Sequence, residues 1–460
     1  MARIEQLIID FADRIWGIPL LILLLGGGLF LLVYSRFLPF KHFGHAFNIL
    51  RGKYDNPDDP GQISHFEALS TALAATVGMG NISGIAIGIA LGGPGSVFWM
   101  WVVAIAGIAT KYFSCTLSVM FRGKDTAGEI QGGPMYVITE GLGKNWKPLA
   151  VFFSLAGLFG CLPIFQANQL TEILHDAVLI PNGIKSGFLS HLTIGIIITI
   201  IVSLVIFGGI RRIGKVTSKM VPAMVVLYFL AVSYILIVNF ESVPGYFMMI
   251  FKNAFTAENY GGDPVLGGAL AGLIILGARR AAFSNEAGIG TAPMAHGAAK
   301  TKEPVREGLV AMLGPVIDTL LVCTLTALAI LVTDVWQTGD ENGISLTVRA
   351  FDSAIPFIGT EILLLCVLVF SLSTMFSYSY YGTKCFSFLA GAKYKKGYNY
   401  FYVLTIIIAA VASLTAVESL ISGSFALMAI PTMISTLILA PKVLAASKDY
   451  FKRMKENKIL

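Results

Sequence analysis

Two glycines, Gly78 and Gly80, flank Met79 near the middle of an apolar segment that runs from residue 66 to residue 91. Because glycine leaves helical geometry easily, a membrane helix can come apart here and expose backbone N–H and C=O groups. The N–H groups that begin the second half-helix lie at the positive end of its dipole and can bind a carboxylate. The carbonyl oxygens that end the first half-helix can ligate a cation. This stretch therefore predicts a site for a carboxylate and a cation.

The composition shows what kind of structure must carry this site. Of the 460 residues, 55% are hydrophobic and 13% are charged, whereas soluble domains carry roughly 25% charged residues. These values exclude a soluble globule and predict an all-α polytopic membrane protein embedded in the lipid bilayer. The net charge of +6 does not indicate a nucleic-acid partner, because in a membrane protein the positions of Lys and Arg matter more than their sum. The five cysteines lie in apolar segments without metal-binding spacing, and we expect buried free thiols.

Apolar runs long enough to cross roughly 30 Å of hydrocarbon predict eleven transmembrane helices. They cover residues 17–38, 66–91, 95–121, 149–178, 190–210, 215–240, 264–292, 305–334, 357–388, 398–416 and 418–442.

Lysine and arginine test this count, because they favour the cytoplasmic connections. Of the 33 basic residues, 25 fall in one set of alternating connections. The other set holds only Arg3, Arg14, Lys185, Lys252 and Arg349, and its largest connection carries the acidic residues Asp334, Asp340, Glu341 and Asp352. We therefore expect the N-terminus outside and the C-terminus in the cytoplasm.

The spans also show an internal regularity. If 17–38 is set aside, ten spans remain, and the first and sixth are interrupted by glycine. These glycines are Gly78 and Gly80 in 66–91, and Gly272, Gly277, Gly288 and Gly290 in 264–292. The two spans have opposite predicted orientations, which is the pattern of an inverted-repeat transporter with a site at mid-membrane.

The predicted organisation is a single membrane domain over 1–460. It comprises an accessory helix at 17–38, inverted repeats at 66–240 and 264–442, and a cytoplasmic tail at 443–460.

Four motifs resemble those of the alanine or glycine:cation symporters. They are TVGMGN at 76–81, GGPGSVFWMW at 92–101, GGPMY at 132–136 and FSNEAGIGTAP at 283–293. Two positions depart from the pattern, Ser96 where alanine or glycine is expected and Ala281 where glycine follows the arginine. The resemblance covers most of the chain. It implies the leucine-transporter fold with a 5+5 inverted repeat, sodium-driven uptake of alanine or glycine, and a plasma-membrane location.

The resemblance also gives roles to the residues at the break. The backbone N–H groups of Met79 and Gly80 are expected to bind the substrate carboxylate, with the Thr76 carbonyl near the substrate ammonium group. For Gly78 and Gly80 the alternative is close helix packing, since glycine recurs every four residues from 80 to 92. Asn81 is expected either to ligate a cation or to hydrogen-bond the freed backbone.

Two further spans are expected to flank the substrate. Phe165 and Gln166 lie in 149–178, where the alternative for Gln166 is a helix-to-helix hydrogen bond. Ile274 and Gly277 are expected beside the side-chain end of the substrate, which makes the pocket small. Such a pocket suits L-alanine or glycine. Whether it also binds D-alanine is left open.

Sodium is the expected coupling ion, and no cofactor is expected. By similarity to the fold, the Phe370 carbonyl and the Ser373 and Thr374 hydroxyls would face the Ala74 and Val77 carbonyls around the ion. The alternative for the two hydroxyls is a hydrogen bond back to a carbonyl of their own helix.

Charged side chains inside the bilayer call for partners. Those within the predicted spans are Lys111, Arg279, Arg280, Glu286 and Asp318. For Asp318 two interpretations stay open: a structural pair with Lys111 or an arginine, or an unpaired carboxylate that binds a coupling ion or a proton. The six histidines lie in loops or at helix ends, which disfavours a proton relay through the membrane.

The sequence also bears on whether the protein is an enzyme or a channel. It contains no H-E-x-x-H, G-x-S-x-G or G-x-x-x-x-G-K-[ST] motif and no Thr-Val-Gly-Tyr-Gly filter. We therefore predict a monomeric, non-enzymatic symporter that imports a small neutral amino acid with sodium. A proton-coupled transporter is the alternative, followed by an amino-acid-permeable channel.

Overall fold

The computed structural model describes residues 2–183, 187–256, 269–337 and 343–456. Some of the predictions fall on residues outside these ranges. They are Lys185, Asp340, Glu341, the beginning of the predicted span 264–292 and the last residues of the predicted tail.

The described chain is almost entirely helical, as predicted. Its α-helices are α1 (Ala2–Ile15), α2 (Ile18–Leu21), α3 (Gly27–Tyr34), α4 (Leu38–Lys41), α5 (Phe43–Leu50), α6 (His65–Thr76), α7 (Met79–Gly92), α8 (Gly95–Met120), α9 (Pro134–Tyr136), α10 (Lys147–Gly160), α11 (Ile164–Leu174), α12 (Phe188–Ile206), α13 (Gly209–Val238), α14 (Val243–Asn253), α15 (Ala269–Asn285), α16 (Ala292–His296), α17 (Pro304–Ala311), α18 (Leu313–Pro315), α19 (Thr324–Val332), α20 (Ile344–Ala354), α21 (Gly359–Ala390), α22 (Lys395–Ala410) and α23 (Leu414–Lys455).

Shorter elements complete the described fold. Wider π-helical turns cover Ile22–Gly26, Val137–Leu142, His175–Leu179 and Val316–Cys323, and 3₁₀ turns cover Lys144–Trp146, Val335–Gln337 and Ala392–Tyr394. Two short strands, β1 (Gly123–Lys124) and β2 (Ile130–Gln131), form an antiparallel pair with Gly123 opposite Gln131.

Within the described ranges, eight helices are long and apolar enough to cross a membrane. A ninth is added if α1 and the helix of residues 18–34, bent by 51°, form one span. Two predicted spans coincide with shorter helices, since α15 has 17 residues and α22 has 16. A multi-pass membrane protein follows from these helices, while the count of eleven and the orientation of the termini stay predictions.

The first broken helix lies at the centre of the bundle. The apolar stretch that identifies His65–Gly92 as a span is fully buried, whereas those of α12 and α13 are only 28% and 33% buried. A helix that is apolar on all sides yet exposed within the protein is suited to face lipid. α12 and α13 are therefore peripheral, and α6 and α7 are enclosed by protein.

Local sequence explains where α6 begins. Ser64 precedes the helix, and its hydroxyl accepts a hydrogen bond from the Glu67 N–H at 3.2 Å. The Glu67 carboxylate in turn accepts the Ser64 N–H at 2.8 Å. These two hydrogen bonds satisfy the Ser64 and Glu67 N–H groups. The Glu67 N–H lies in the first turn of α6, where backbone N–H groups have no partner within the helix.

The second broken helix differs from the prediction in one respect. Gly272 and Gly277 do not interrupt it, because α15 is continuous from Ala269 to Asn285. The break comes afterwards, where Gly288 and Gly290 adopt positive φ angles of 86° and 105° before α16 begins. A glycine inside a helix needs only lateral space, whereas positive φ is accessible mainly to glycine.

The two arginines of α15 have carboxylate partners. Arg279 pairs with Asp13 at 2.9 Å, and Arg280 pairs with Glu418 at 2.5 Å. These pairs join α15 to α1 and to α23, which run side by side. The final helix also continues through residues 443–455 of the predicted tail, and Tyr450 contacts His45 at 2.8 Å. All five cysteines are buried and free, as expected.

Candidate functional site

The first broken helix comes apart over two residues. α6 ends at Thr76, and Val77 leaves the helix with a ψ of 94°. Gly78 is fully extended, with φ −161° and ψ −148°, and α7 begins at Met79. The break lies at the first of the two glycines that predicted it, and residues 76–81 are all buried. Backbone that has left helical geometry is thus buried deep inside the bundle.

Asn81 hydrogen-bonds part of this freed backbone. Its side-chain oxygen accepts the Gly78 N–H at 2.9 Å, which caps the start of α7. This contact favours the second of the two interpretations for Asn81. Its amide nitrogen donates to Asp318 Oδ1 at 2.9 Å and lies 3.3 Å from Ser284 Oγ.

Asp318 is therefore part of the break, although it is 237 residues from Asn81 in sequence. It lies in the π-helical stretch 316–323 and is fully buried. Its Oδ1 also accepts the Ser284 hydroxyl, and Ser284 lies 2.8 Å from Thr319 Oγ1. Among the described residues, Asp318 Oδ2 has no hydrogen-bond partner. The cluster joins α7, α15 and the stretch 316–323 through one carboxyl group.

Lys111 lies in the same interior but does not pair with this carboxyl group directly. It is 2% exposed, and its amino group would lie 3.0 Å from a Cβ atom placed on Gly314. The charges of Asp318 and Glu286 act on it at longer range. In the part of the chain that the structure describes, no ion pair joins Lys111 to a carboxylate. Side-chain hydrogen bonds, and not an ion pair with Lys111, hold Asp318.

The predicted sodium ligands meet where α21 crosses the break. Thr374 Oγ1 lies 2.8 Å from the Ala74 carbonyl oxygen and 3.0 Å from the Phe370 carbonyl oxygen. Ser373 Oγ lies 2.9 Å from the same Phe370 oxygen. The two hydroxyls thus make the back-bonds of the alternative interpretation, and Thr374 also reaches α6. Val77, the fifth predicted ligand, is the fully buried residue at which α6 ends.

Close packing explains the glycines at the break as well. A Cβ atom on Gly78 would lie 2.6 Å from Thr374 Oγ1, and one on Gly80 would lie 2.8 Å from the Phe283 carbonyl oxygen. Real Cβ atoms do not come this close to oxygen. Gly80 therefore lets the two broken helices touch through their backbones, and this packing role is compatible with binding by the Gly80 N–H.

α11 brings an aromatic ring and a free amide into the interior. The Phe165 ring lies 5.7 Å from the Phe283 ring in an edge-to-face arrangement. Gln166 is 6% exposed, and its Oε1 has no hydrogen-bond partner among the described residues. The neighbouring Gln169 is occupied, because it accepts the Ser83 hydroxyl at 3.0 Å. The helix-to-helix bond that was the alternative for Gln166 is thus made by Gln169.

The second break is tied to the helix that carries the sodium ligands. Glu286 follows α15 directly, and its carboxyl group accepts hydrogen bonds from the Thr291 and Tyr378 hydroxyls. Tyr378 lies one turn after Thr374 on α21. Both breaks therefore contact the same helix within a short distance along it.

The two pocket residues predicted on α15 have different surroundings. Gly277 lies against α8, where a Cβ atom would come within 2.5 Å of Trp99 Cβ. This contact accounts for the glycine by packing. Ile274 is half-buried. Substrate contact by Ile274 and Gly277 stays a prediction.

Sequence reasoning missed the grouping of Ser284, Thr319 and Asn81 around Asp318. The available signals were separate: a carboxylate inside an apolar span, and a serine inside the motif at 283–293. Neither indicates the other, because tertiary packing alone brings them together.

A large cavity of about 540 Å³ opens at the end of the molecule that is predicted to be cytoplasmic. Its lining includes Gly61, Gln131, Arg211, Tyr380 and Lys384, and none of residues 74–81.

Comparison with known proteins extends these observations. A model of the sodium:alanine symporter family matches residues 1–459. The sodium/alanine symporter AgcS of Methanococcus maripaludis is 39% identical, over 96% of this chain and 96% of its own length. An uncharacterized transporter of Haemophilus influenzae is 38% identical, over 99% of this chain and 98% of its own.

A solved structure resembles the fold. The crystal structure of MhsT in complex with L-phenylalanine superposes with a TM-score of 0.57, covering 84% of this chain and 98% of MhsT. The identity is 13%, so this likeness concerns the fold alone. It agrees with the leucine-transporter fold expected from the sequence.

Proposed function

Because this chain belongs to the sodium:alanine symporter family, we propose that it is a sodium-coupled symporter that imports alanine by alternating access. Glycine and D-alanine are the further candidate substrates. Membership of this family makes the chain an amino-acid:cation symporter, not an enzyme.

The observation that carries the sodium assignment is the meeting of α6 and α21 at the break. The Thr374 hydroxyl lies within hydrogen-bonding distance of the Ala74 and Phe370 carbonyls, and the Ser373 hydroxyl lies within that distance of the Phe370 carbonyl. Neutral oxygen ligands suit a monovalent cation that must later be released, and carbonyls of an unwound helix coordinate such ions in transporters. The Val77 carbonyl at the end of α6 would complete the set.

The substrate assignment is supported by polar groups at the start of α7 and on α11. The N–H groups of Met79 and Gly80 begin α7, where the helix dipole favours a carboxylate. The free Oε1 of Gln166 can accept a hydrogen bond from the substrate ammonium group, as can the Thr76 carbonyl. A buried polar atom without a partner carries a desolvation cost that a ligand can remove.

The small size of the proposed substrate follows from what surrounds the break. The Phe165 and Phe283 rings close on each other beside it, and Gly80 touches the Phe283 backbone. Enlarging the site would require these contacts to separate. Alanine and glycine are therefore favoured over leucine.

Asp318 supports a second candidate, proton coupling. It is a fully buried carboxyl group at the break with one oxygen unpartnered among the described residues. A carboxyl group in such surroundings can exchange a proton during transport.

Uptake of labelled alanine into proteoliposomes tests the proposal. An inward sodium gradient should concentrate alanine inside, and a proton gradient of equal size without sodium should not. Accumulation driven by protons alone, and lost in D318N, would favour the second candidate. Equilibration without accumulation under either gradient would indicate a channel and overturn the proposal.

A further inference from the structure

The two broken helices meet again in a buried cluster at their other ends. His65 is the first residue of α6, His296 is the last residue of α16, and Glu307 lies in the first turn of α17. Their exposures are 1%, 1% and 0%. Glu307 Oε1 lies 2.5 Å from His296 Nδ1, and Glu307 Oε2 bonds to His65 Nδ1. One carboxylate thus holds both broken helices.

The backbone beside this cluster is tied in the same way. The Gln62 N–H donates to the Ala298 carbonyl at 2.7 Å, and the Lys300 N–H donates to the Ile63 carbonyl at 2.7 Å. Gly61 fits here because a Cβ atom would overlap the Ala299 carbonyl. The segment that enters α6 is therefore paired with the segment that leaves α16.

Arg122 adds a third connection between these segments. Its Nη1 donates to the Pro60 and Thr301 carbonyls, each at 3.1 Å, and its Nε donates to the Gly297 carbonyl at 2.8 Å. These bonds satisfy backbone oxygens on both sides.

The charge of Glu307 makes its carboxylate the critical member of the cluster with His65 and His296. A buried carboxylate is costly unless it is hydrogen-bonded, and here both of its oxygens depend on imidazole N–H groups. His65 Nε2 has no partner among the described residues, so the ring is fixed through Nδ1 alone. The other ionisable groups acting on the cluster are Asp55, Arg306, Arg122 and Cys115.

We infer that Glu307, bonded to His65 and His296, is the cytoplasmic latch of the transport cycle. Both bonds must break before α6 can move away from α16 and open a path from the break to the cytoplasm. α6 can move separately because the break at Val77 and Gly78 disconnects it from α7. The inference rests on the proposed function, since alternating access requires such an opening.

The latch responds to pH in a defined direction. Imidazole exchanges its proton between about pH 5 and pH 8. At acidic pH, a charged His65 makes a stronger hydrogen bond to the carboxylate than a neutral His65 does. As pH rises, His65 donates only as a neutral N–H group, and the latch opens more often.

Labelling of a buried cysteine measures this opening. Ala68 of α6 is fully buried and packs with Ile63 and Ala299, so A68C should react with a maleimide only when α6 moves. The full-length protein is labelled in detergent without substrate, and rates at each pH are normalised to the unfolded protein. The chain without A68C gives the background, because its own cysteines are buried.

In the protein that carries A68C, E307Q should raise the labelling rate about tenfold. This is the change expected when one charge-assisted hydrogen bond that holds the closed state is lost. E307Q should also flatten the rise in labelling that the parent shows from about pH 6 to about pH 8. E303Q is the matched control, because Glu303 pairs with Arg453 at 2.7 and 3.0 Å away from α6 and α16. Its labelling rate and pH dependence should stay close to those of the parent.

Two further variants decide the outcome if E307Q fails to fold. H65Q removes the titrating partner and should raise labelling and reduce its pH dependence, whereas H296Q removes one hydrogen bond of the latch and should raise labelling. Labelling that stays at the parent rate in every folded latch variant would overturn the inference, as would an equal effect of E303Q. Sodium-driven alanine uptake is measured separately, so failure of the proposed function would be seen independently of the latch.

Discussion

The Thr374 hydroxyl lies 2.8 Å from the Ala74 carbonyl oxygen, across 300 residues of sequence. This hydrogen bond joins the last turn of α6 to the middle of α21. It places a side chain of the second predicted repeat against the last helical turn before the break in the first. The proposed sodium site depends on this relationship.

Removing the Thr374 hydroxyl should weaken sodium binding. In T374A one oxygen ligand is lost, and the sodium concentration for half-maximal alanine uptake should rise about tenfold, as expected for one lost polar contact in a buried site. T374S keeps the hydroxyl and should behave like the parent.

S379A is the control for that prediction. Ser379 is also buried on α21, and its hydroxyl donates at 2.6 Å to Phe376 of the same helix. Its removal should leave the sodium dependence unchanged. An unchanged dependence in T374A would mean that sodium binds elsewhere.

Gly80 should tolerate no side chain. Because a Cβ atom would lie 2.8 Å from the Phe283 carbonyl, G80A should push the two broken helices apart and reduce alanine binding by about tenfold or more. Calorimetric titration in saturating sodium measures the affinity. The larger G80L should disturb folding as well as binding, because its side chain would meet the same carbonyl group.

Gly84 provides the comparison on the same helix. A Cβ atom there meets nothing within 4 Å, so G84A should preserve alanine affinity. It should also stabilise α7 slightly, by up to about 1 kcal/mol, because alanine favours helix more than glycine does. Equal alanine affinities in G80A and G84A would contradict the packing argument.

Gln166 should contribute to substrate binding and little to folding. Q166L removes the free Oε1 while keeping a similar volume, so alanine affinity should fall about tenfold while the melting temperature changes little. T171V is the matched variant on α11, since the Thr171 hydroxyl donates only along its own helix, to Ala167 at 2.7 Å. A large loss of stability in Q166L with normal affinity would assign Gln166 a structural role.

The Arg280–Glu418 pair should stabilise the bundle. Arg280 is 3% exposed, and the pair joins α15 to α23 at 2.5 Å. E418A leaves a buried guanidinium without this partner and should cost about 3–5 kcal/mol of folding free energy. The Lys302–Asp59 pair has a lysine that is 67% exposed, and K302A should cost less than about 1 kcal/mol. Thermal unfolding of both variants under one condition distinguishes the two cases.

The sequence by itself determined the class of the protein and the position of its first break. Composition and long apolar runs require a membrane-spanning helical bundle, because no other environment accommodates so much apolar surface. The glycines at 78 and 80 indicated where the first helix parts, because backbone freedom is a local property. The motifs gave the family and fold through resemblance, which the comparisons confirm.

Local signals misled where glycine had another use. Gly272 and Gly277 were predicted, together with Gly288 and Gly290, to interrupt the second helix, yet α15 passes through the first two without a break. A Cβ atom on Gly277 would come within 2.5 Å of Trp99 Cβ, so this glycine allows α8 to approach. Sequence cannot separate a glycine that frees the backbone from one that makes room for a neighbour.

Only the tertiary structure decided which distant side chains share a site. Asn81 with Asp318, and His65 with Glu307 and His296, are joined by hydrogen bonds between segments far apart in the chain. Periodicity and propensity report on neighbours within a few turns, whereas these pairings depend on how whole helices cross. For that reason the break could be predicted from sequence, but the groups that satisfy it and close it could not.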